Sequence, residues 1–236
     1  MLLSKLREEV LEANLELVRR GLVLYTFGNA SGVDREQSLV VIKPSGVDYD
    51  HLKPEHMVVT DMHGKIVEGE LRPSSDLDTH TLLYREFGNI GAVVHTHSEF
   101  ATSFSQAGLP IPAFGTTHAD YFHGPVPVTR PLTDEAITGR YVHETGVAIV
   151  ERFRGNSESS AIDPLAVPAC LVHGHAPFVW GVTPHEAAHN AVVLEAVARM
   201  AYRTISLQAD AIEVSQALLD RHYFRKHGKE ATYGQD

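Results

Sequence analysis

Ala92-Val93-Val94-His95-Thr96-His97 is a short β-branched apolar run that ends in two imidazoles. Too short and too rich in valine for a helix, it reads as a buried strand that runs into a site. Side chains alternate along a strand, so His95 and His97 point to one face and can grip one cation. Ala169–Val172 repeats the pattern, an apolar strand followed by His173-Gly174-His175, and Asp76 opens a predicted helix upstream. Neutral imidazole suits zinc and its divalent neighbours, and three protein ligands with one open position form a Lewis-acid site. The strand pair therefore needs a third ligand, for which His173, His175 and Asp76 are the candidates. A lone histidine is usually a satisfied surface or core residue; two H-x-H pairs at strand ends weigh toward metal.

Outward from this strand the chain alternates. Leu3, Leu6, Val10, Ala13 and Leu17 follow helical spacing, with Gly21 in the place of a helix-ending glycine. Leu22–Tyr25, Leu39–Ile42, Met57–Thr60 and Lys65–Val67 are short and β-rich, and predict partly antiparallel strands. Ser75 followed by Asp78 resembles a capping box, opening a helix whose apolar face is Leu82, Leu83 and Phe87. A helix is predicted over Glu99–Ala107, then a Pro- and Gly-rich loop from Ile111 to Thr129 with a short strand at Val126–Val128, and a last helix over Ala211–Lys226. Strands and helices interspersed without a linker predict one α/β domain over residues 1–236.

Composition narrows the function. The 236 residues are 43% apolar and 21% charged, as in an ordinary globular chain, and the formal charge of −10 disfavours nucleic acid and anionic membrane as partners. One cysteine, Cys170, and a charged amino-terminal segment lead to the expectation of a cytoplasmic protein with no signal peptide.

A rival metal signature lies at His185-Glu186-Ala187-Ala188-His189, the H-E-x-x-H pattern of zinc metalloproteases. Among 15 histidines such a match is weak. Thr183-Pro184-His185-Glu186 is better explained as a helix start, with Thr as N-cap, Pro at N1 and Glu at N3, running to about Leu207.

Three small-residue clusters carry the chemistry for a phosphoryl anion: Gly28-Asn29, Lys43-Pro44-Ser45-Gly46 and Ser74-Ser75. Glycine lets backbone amides approach an oxyanion, serine and asparagine donate hydrogen bonds, and Lys43 supplies the countercharge. Each alone is more often a turn or a cap; together with metal ligands they point to a sugar phosphate. None matches the Walker or dinucleotide glycine patterns.

These motifs, Gly28-Asn29-Ala30-Ser31, Lys43-Pro44-Ser45-Gly46-Val47-Asp48, Pro73-Ser74-Ser75-Asp76 and His95-Thr96-His97-Ser98, occur with Gly115-Thr116-Thr117-His118-Ala119-Asp120-Tyr121 and an ending of Arg225-Lys226-His227-Gly228 and Tyr233-Gly234-Gln235. Over essentially the whole chain the set resembles the L-ribulose-5-phosphate 4-epimerases, a branch of the class II aldolase family that also holds the L-fuculose-1-phosphate aldolases. The resemblance implies an α/β/α fold around a largely antiparallel sheet, and a homotetramer with active sites between subunits. It implies one Zn2+ per subunit, or another divalent cation, on His95, His97 and His175 with Asp76 beside it. Gly28, Asn29, Lys43, Ser45, Gly46, Ser74 and Ser75 would hold the substrate, chiefly its phosphate. Asp120 and Tyr233 would be the acid/base residues, with Thr116, His222 and Arg225 nearby.

The implied reaction interconverts L-ribulose 5-phosphate and D-xylulose 5-phosphate. C4 of the ketose carries no acidic hydrogen, so inversion needs the C3–C4 bond opened by retro-aldol cleavage and closed on the other face. A class II aldolase that releases its fragments is the alternative, and a zinc protease built on His185 and His189 a remoter one. One departure from the epimerase pattern is His175-Ala176-Pro177-Phe178, where the resemblance expects glycine after the histidine.

Overall fold

The computed structural model describes residues 1–155, 157, 160–228 and 231–232. In chain order the elements are α1 (Ser4–Arg19), β1 (Asn29–Asp34), β2 (Leu39–Ile42), β3 (Val58–Asp61), β4 (Ile66–Glu68), α2 (Leu77–Glu86), β5 (Ala92–His95) and α3 (Glu99–Ala107), followed by α4 (Thr116–Ala119), α5 (Asp134–Thr138), α6 (Tyr141–Arg154), β6 (Ala169–Leu171), β7 (Pro177–Gly181), α7 (Pro184–Leu207) and α8 (Gln216–Phe224). The strands form one seven-stranded sheet in the order β4-β3-β2-β1-β5-β7-β6. Every paired neighbour is antiparallel. Helices cover both faces, as the α/β/α expectation has it. No helix among the described residues is long and apolar enough to cross a membrane.

Central β5 shows why its sequence is continuously apolar. Ala92 and Val94 face a core shared with α1, α3 and α7, while Val93 faces a second core with Leu83, Tyr84, Phe87, Ile149 and Phe153 of α2 and α6. A strand buried on both faces has no polar alternation to show. Each fully buried Val, Leu or Phe contributes about 1.5–3 kcal/mol. Val93 stands opposite Trp180 of β7, whose indole donates to the Pro164 carbonyl at 2.7 Å.

Several sequence expectations change. Leu22–Tyr25 is not a strand. The Leu22 amide closes the end of α1 on the Leu17 carbonyl at 2.9 Å, and Tyr25 adopts a positive φ of 52°. The strand beside β2 is instead the polar, small-residue Asn29–Asp34, where Gly32 lies so close to Leu6 and Val10 of α1 that a Cβ would clash. The N-cap of α2 is Asp76 rather than Ser75, and its side chain makes no capping bond. Val126–Val128 forms only isolated bridges, Ile111 with Val126 and Val128 with Leu171, and α8 is shorter than the predicted helix over Ala211–Lys226. Helix α6 and strand β7 are elements that spacing did not announce. Helix α7 begins as predicted: Thr183 accepts from the Glu186 amide at 3.2 Å.

Candidate metal centre

The end of β5 places the first ligand. In the sheet His95 is directly opposite Asn29 of β1 on one side and Phe178 of β7 on the other. Its ring stacks on Phe178 at 4.2 Å between centroids. Nδ1 of His95 is 2.9 Å from the Pro177 carbonyl. A carbonyl only accepts, so Nδ1 carries the proton and the Nε2 lone pair is left for a cation. His97 and His175 complete the triangle, with centroid separations of 5.0 Å (His95–His97), 4.9 Å (His95–His175) and 5.0 Å (His97–His175). Their ligand atoms lie within 4.8 Å of one another. Burial lowers the pKa of His175 to about 4 and lowers those of His95 and His97, so all three rings are neutral and able to ligate at pH 7. The donor set and tautomer therefore fit a divalent cation.

Which histidine of the second pair joins is decided by a turn. Residues 172–176 are not extended: the Val172 amide bonds the Ala176 carbonyl at 3.1 Å, and Gly174 has φ of 70°. The two imidazoles therefore diverge. His175 joins the triad, while His173 lies against Gly108 at the end of α3. Ala176 is fully buried with a negative φ, so the glycine expected there is not needed.

Asp76 lies beside the triad. Its Oδ2 accepts from Nδ2 of Asn29 at 2.7 Å. Burial alone would raise its pKa; His95, His80, Asn29 and His175 outweigh that and hold the carboxyl below the usual carboxylate range.

The three predicted phosphate clusters open on the same cavity. It has a volume of about 550 Å³, and Gly28, Asn29, Lys43, Ser45, Gly46, Ser74, Ser75 and Asp76 line it together with the three ligand histidines. Gly28 has φ of 92°, and a Cβ there would stand 2.9 Å from the His95 carbonyl oxygen, so only glycine brings this loop against the metal strand. The Pro44 and Pro73 segments are bridged, with the Ser45 amide on the Arg72 carbonyl at 2.9 Å and the Ser74 amide on the Lys43 carbonyl at 3.0 Å. Lys43 is 2% exposed, with Nζ 3.1 Å from the Val47 carbonyl and 4.6 Å above the Tyr49 ring. Burial lowers its pKa to about 8 against the opposing pull of Asp48.

Spacing missed Phe27, Tyr141 and Val142 on the cavity wall. Tyr141 Oη is 3.3 Å from Nδ1 of His175. Nothing in the pattern around residue 141 signals this. Behind the cavity, His80, Ser31 and Tyr84 form a buried polar chain that was also missed, although the four-residue step from Asp76 to His80 is a helical repeat that could have shown it.

Asp120 is elsewhere. Its Oδ1 accepts from His222 Nδ1 at 3.0 Å and Arg225 Nε at 3.2 Å, and its Oδ2 from Arg225 Nη2 at 2.9 Å, with Lys226 Nζ at 3.6 Å. Burial would raise this carboxyl too, but the Arg225 and His222 donors and the Lys226 charge keep it low. Thr116 opens α4 and accepts the Asp120 amide at 2.9 Å. Thr116, Asp120, His222 and Arg225 thus come together at the junction of α4 and α8, and none lines the metal cavity. Tyr233 lies outside the described residues. His185 and His189 gather no third ligand among the described residues: Glu186 accepts from the Val182 amide at 3.1 Å, and His189 Nε2 is 3.2 Å from the Tyr121 hydroxyl.

With three histidines converging on a serine-lined cavity, comparison with known families becomes decisive. The class II aldolase and adducin N-terminal domain matches residues 8–202. The chain belongs to this family. Class II aldolase structures share its architecture. An L-fuculose 1-phosphate aldolase is 24% identical, with a TM-score of 0.75 over 95% of this chain and 97% of its own. The L-fuculose-1-phosphate aldolase from Thermus thermophilus is 24% identical, with a TM-score of 0.66 over 87% of this chain and 97% of its own. YgbL from Klebsiella pneumoniae, provisionally assigned to aldolase, epimerase or decarboxylase chemistry, is 23% identical, with a TM-score of 0.69 over 92% of this chain and 97% of its own. At these identities the likeness establishes the fold.

Proposed function

We propose that this class II aldolase family member is a metal-dependent enzyme of phosphorylated ketoses, and that its reaction is the interconversion of L-ribulose 5-phosphate and D-xylulose 5-phosphate. The observation that carries the reading is the single cavity of about 550 Å³ in which the His95, His97 and His175 triangle meets Lys43, Ser45, Ser74 and Ser75. A metal-site protein without sugar-phosphate chemistry has no use for a buried ammonium and a serine cradle beside its ligands.

His95, His97 and His175 would hold Zn2+ or a similar divalent cation, with Asp76 beside it. The cation supplies Lewis-acid stabilisation of the negative charge that develops when a bond next to a carbonyl opens. The remaining work falls to the chain. The amides of Gly28, Gly46 and Ser75 have no acceptor among the described residues and, with Ser45, Ser74 and the Lys43 charge, suit a phosphate dianion. Holding the phosphate would keep the cleaved aldehyde in place while it turns to offer its other face. Inversion at C4 needs a proton acceptor on one face and a donor on the other, and Asp120 and Tyr233 are proposed for these roles. Since Asp120 is not on this cavity wall, the reading requires a neighbouring subunit to bring its Thr116, Asp120, His222 and Arg225 cluster to this cavity, in a homotetramer.

The test is product analysis with L-ribulose 5-phosphate. D-Xylulose 5-phosphate should form and its formation should stop with chelator and return with Zn2+. A second reading, an aldolase that releases its fragments, is favoured by the fold shared with L-fuculose-1-phosphate aldolases. Lasting accumulation of dihydroxyacetone and glycolaldehyde phosphate, without D-xylulose 5-phosphate, would establish it instead.

A further inference from the structure

We infer that His80 is a positioning residue, which holds the face of α2 against β1 so that the Asp76 carboxylate stands beside the three ligand histidines. Two periodicities coincide there. Asn29 and Ser31 are two apart on β1 and share a face; Asp76 and His80 are four apart at the start of α2 and share a face. The two faces meet in register: Asn29 Nδ2 donates to Asp76 Oδ2 at 2.7 Å, and Ser31 Oγ is hydrogen-bonded to His80 Nδ1 at 2.7 Å. Ser31 Oγ is also 2.7 Å from the Tyr84 hydroxyl, one helical turn further along. Strand and helix are thus joined by successive polar rungs, and the rung nearest the cavity is the one that carries Asp76.

The ladder is not generic packing. Ser31, His80 and Tyr84 are fully buried, where apolar side chains would fill the space without polar atoms to satisfy. Two buried atoms of the ladder, His80 Nε2 and Asn29 Oδ1, have no hydrogen-bond partner among the described residues. Unpaired polar atoms in a core are uncommon; these are two of seven among the described residues, and they flank Asp76. The His80 ring also meets Phe178, the stacking partner of His95, edge to face at 5.9 Å. The capping geometry agrees: Asp76 is the N-cap of α2 yet makes no side-chain capping bond, and its carboxylate is bonded to Asn29 instead.

The inference rests on the metal reading of the triad, and Co2+ binding to metal-stripped full-length protein tests the two separately. Wild-type protein should bind Co2+ with a visible absorption band, and His95→Ala should lose it; if wild type binds none, both readings fall. Asp76→Asn should shift the band; if it does not, Asp76 is not at the metal and the inference falls while the metal reading stands. His80→Gln carries its amide out to the Nε2 place and leaves nothing in that of Nδ1, the atom bonded to Ser31. It should shift the band toward that of Asp76→Asn and weaken Co2+ affinity about ten- to hundredfold, the range for residues that orient metal-site groups. His80→Asn, whose amide takes the Nδ1 place, should restore most of both. Wild-type spectra and affinity in folded His80→Gln would overturn the inference. Should that variant fail to fold, Ser31→Ala removes one hydroxyl from the ladder and should move the band in the same direction; an unchanged band would again overturn it.

Discussion

Lys43 shows how one residue sets a pH dependence. Its ammonium is buried, and its pKa is lowered to about 8. Below that pH it is charged and can pair with a phosphate; above it the free site loses its countercharge. Apparent affinity for the substrate, a phosphate monoester whose second pKa is about 6, should therefore be flat between pH about 7 and 8. It should weaken by up to about tenfold per pH unit above, where binding must also take up a proton. Lys43→Met should raise KM about ten- to hundredfold, the cost of a charge-assisted hydrogen bond of about 1.5–3 kcal/mol, and should flatten the alkaline limb. Initial rates from pH 7 to 10 check both; a flat wild-type profile would remove Lys43 from the proposed phosphate pocket. Lys43 was legible beforehand only as a candidate, because lysine beside proline, serine and glycine is by itself more often part of a turn, and it was the company of two other small-residue clusters and the metal ligands that singled it out. Its burial against the Tyr49 ring was not legible, since that contact depends on a turn.

At the scale of elements, the H-E-x-x-H motif and the H-x-H motif separate. In α7 the motif is a helix start: Thr183 accepts the Glu186 amide and Glu186 accepts the Val182 amide. Thr183→Ala should cost about 1 kcal/mol of stability without changing metal content, measured by urea unfolding and by atomic absorption. A His185→Ala, His189→Ala double variant should likewise keep its metal, whereas His97→Ala should lose it; the opposite pattern would move the metal to α7. The two histidine motifs part company here because a strand end and a turn at β5 and β6–β7 converge, while the α7 pair stays on one helix with its rings stacked 6.5 Å apart.

For the whole molecule, the triad links adjacent parts of the sheet: His95 ends β5 and His97 follows it, and His175 leads into β7, the hydrogen-bonded neighbour of β5. The fold does not depend on that link, since β5 and β7 are already paired and covered by two cores. Chelator should therefore abolish turnover and leave the protein folded, with Tm lower by roughly 10 °C than at a metal concentration about a thousandfold above Kd. Circular dichroism with and without EDTA is the measurement, and unfolding on chelation at 25 °C would contradict it. Acid acts on the same scale. Burial lowers the pKa of His80 to about 3 and of His118 to about 4, against 6.5 in the ordinary case. The unfolded chain takes up these protons first, so their contribution is present above pH about 6.5 and is lost as pH falls toward 4, at about 1.4 kcal/mol per unit of separation. Metal-free protein should show a urea midpoint that drops between pH 7 and 4.5; a constant midpoint would contradict the burial of both rings.

By itself the sequence determined the elements whose signals are local. Helix α3 runs over Glu99–Ala107 and β2 over Leu39–Ile42 as predicted, α7 starts at its cap, and the β5 strand ends in a histidine pair, because propensity, alternation and capping act within a few residues. Leu22–Tyr25 misled because β-rich residues specify a strand only when a partner edge is free, and the small-residue Asn29–Asp34 takes the place beside β2. The resemblance named His175 over His173 and the tertiary structure supplies the reason, the turn at Gly174 with its positive φ; only the tertiary structure showed Asp120 bound to His222 and Arg225, away from the metal cavity of its own chain. It alone also placed Tyr141 on the cavity wall. Those outcomes depend on which surfaces meet across the sheet, and contacts between residues tens of positions apart leave no periodic trace in the chain.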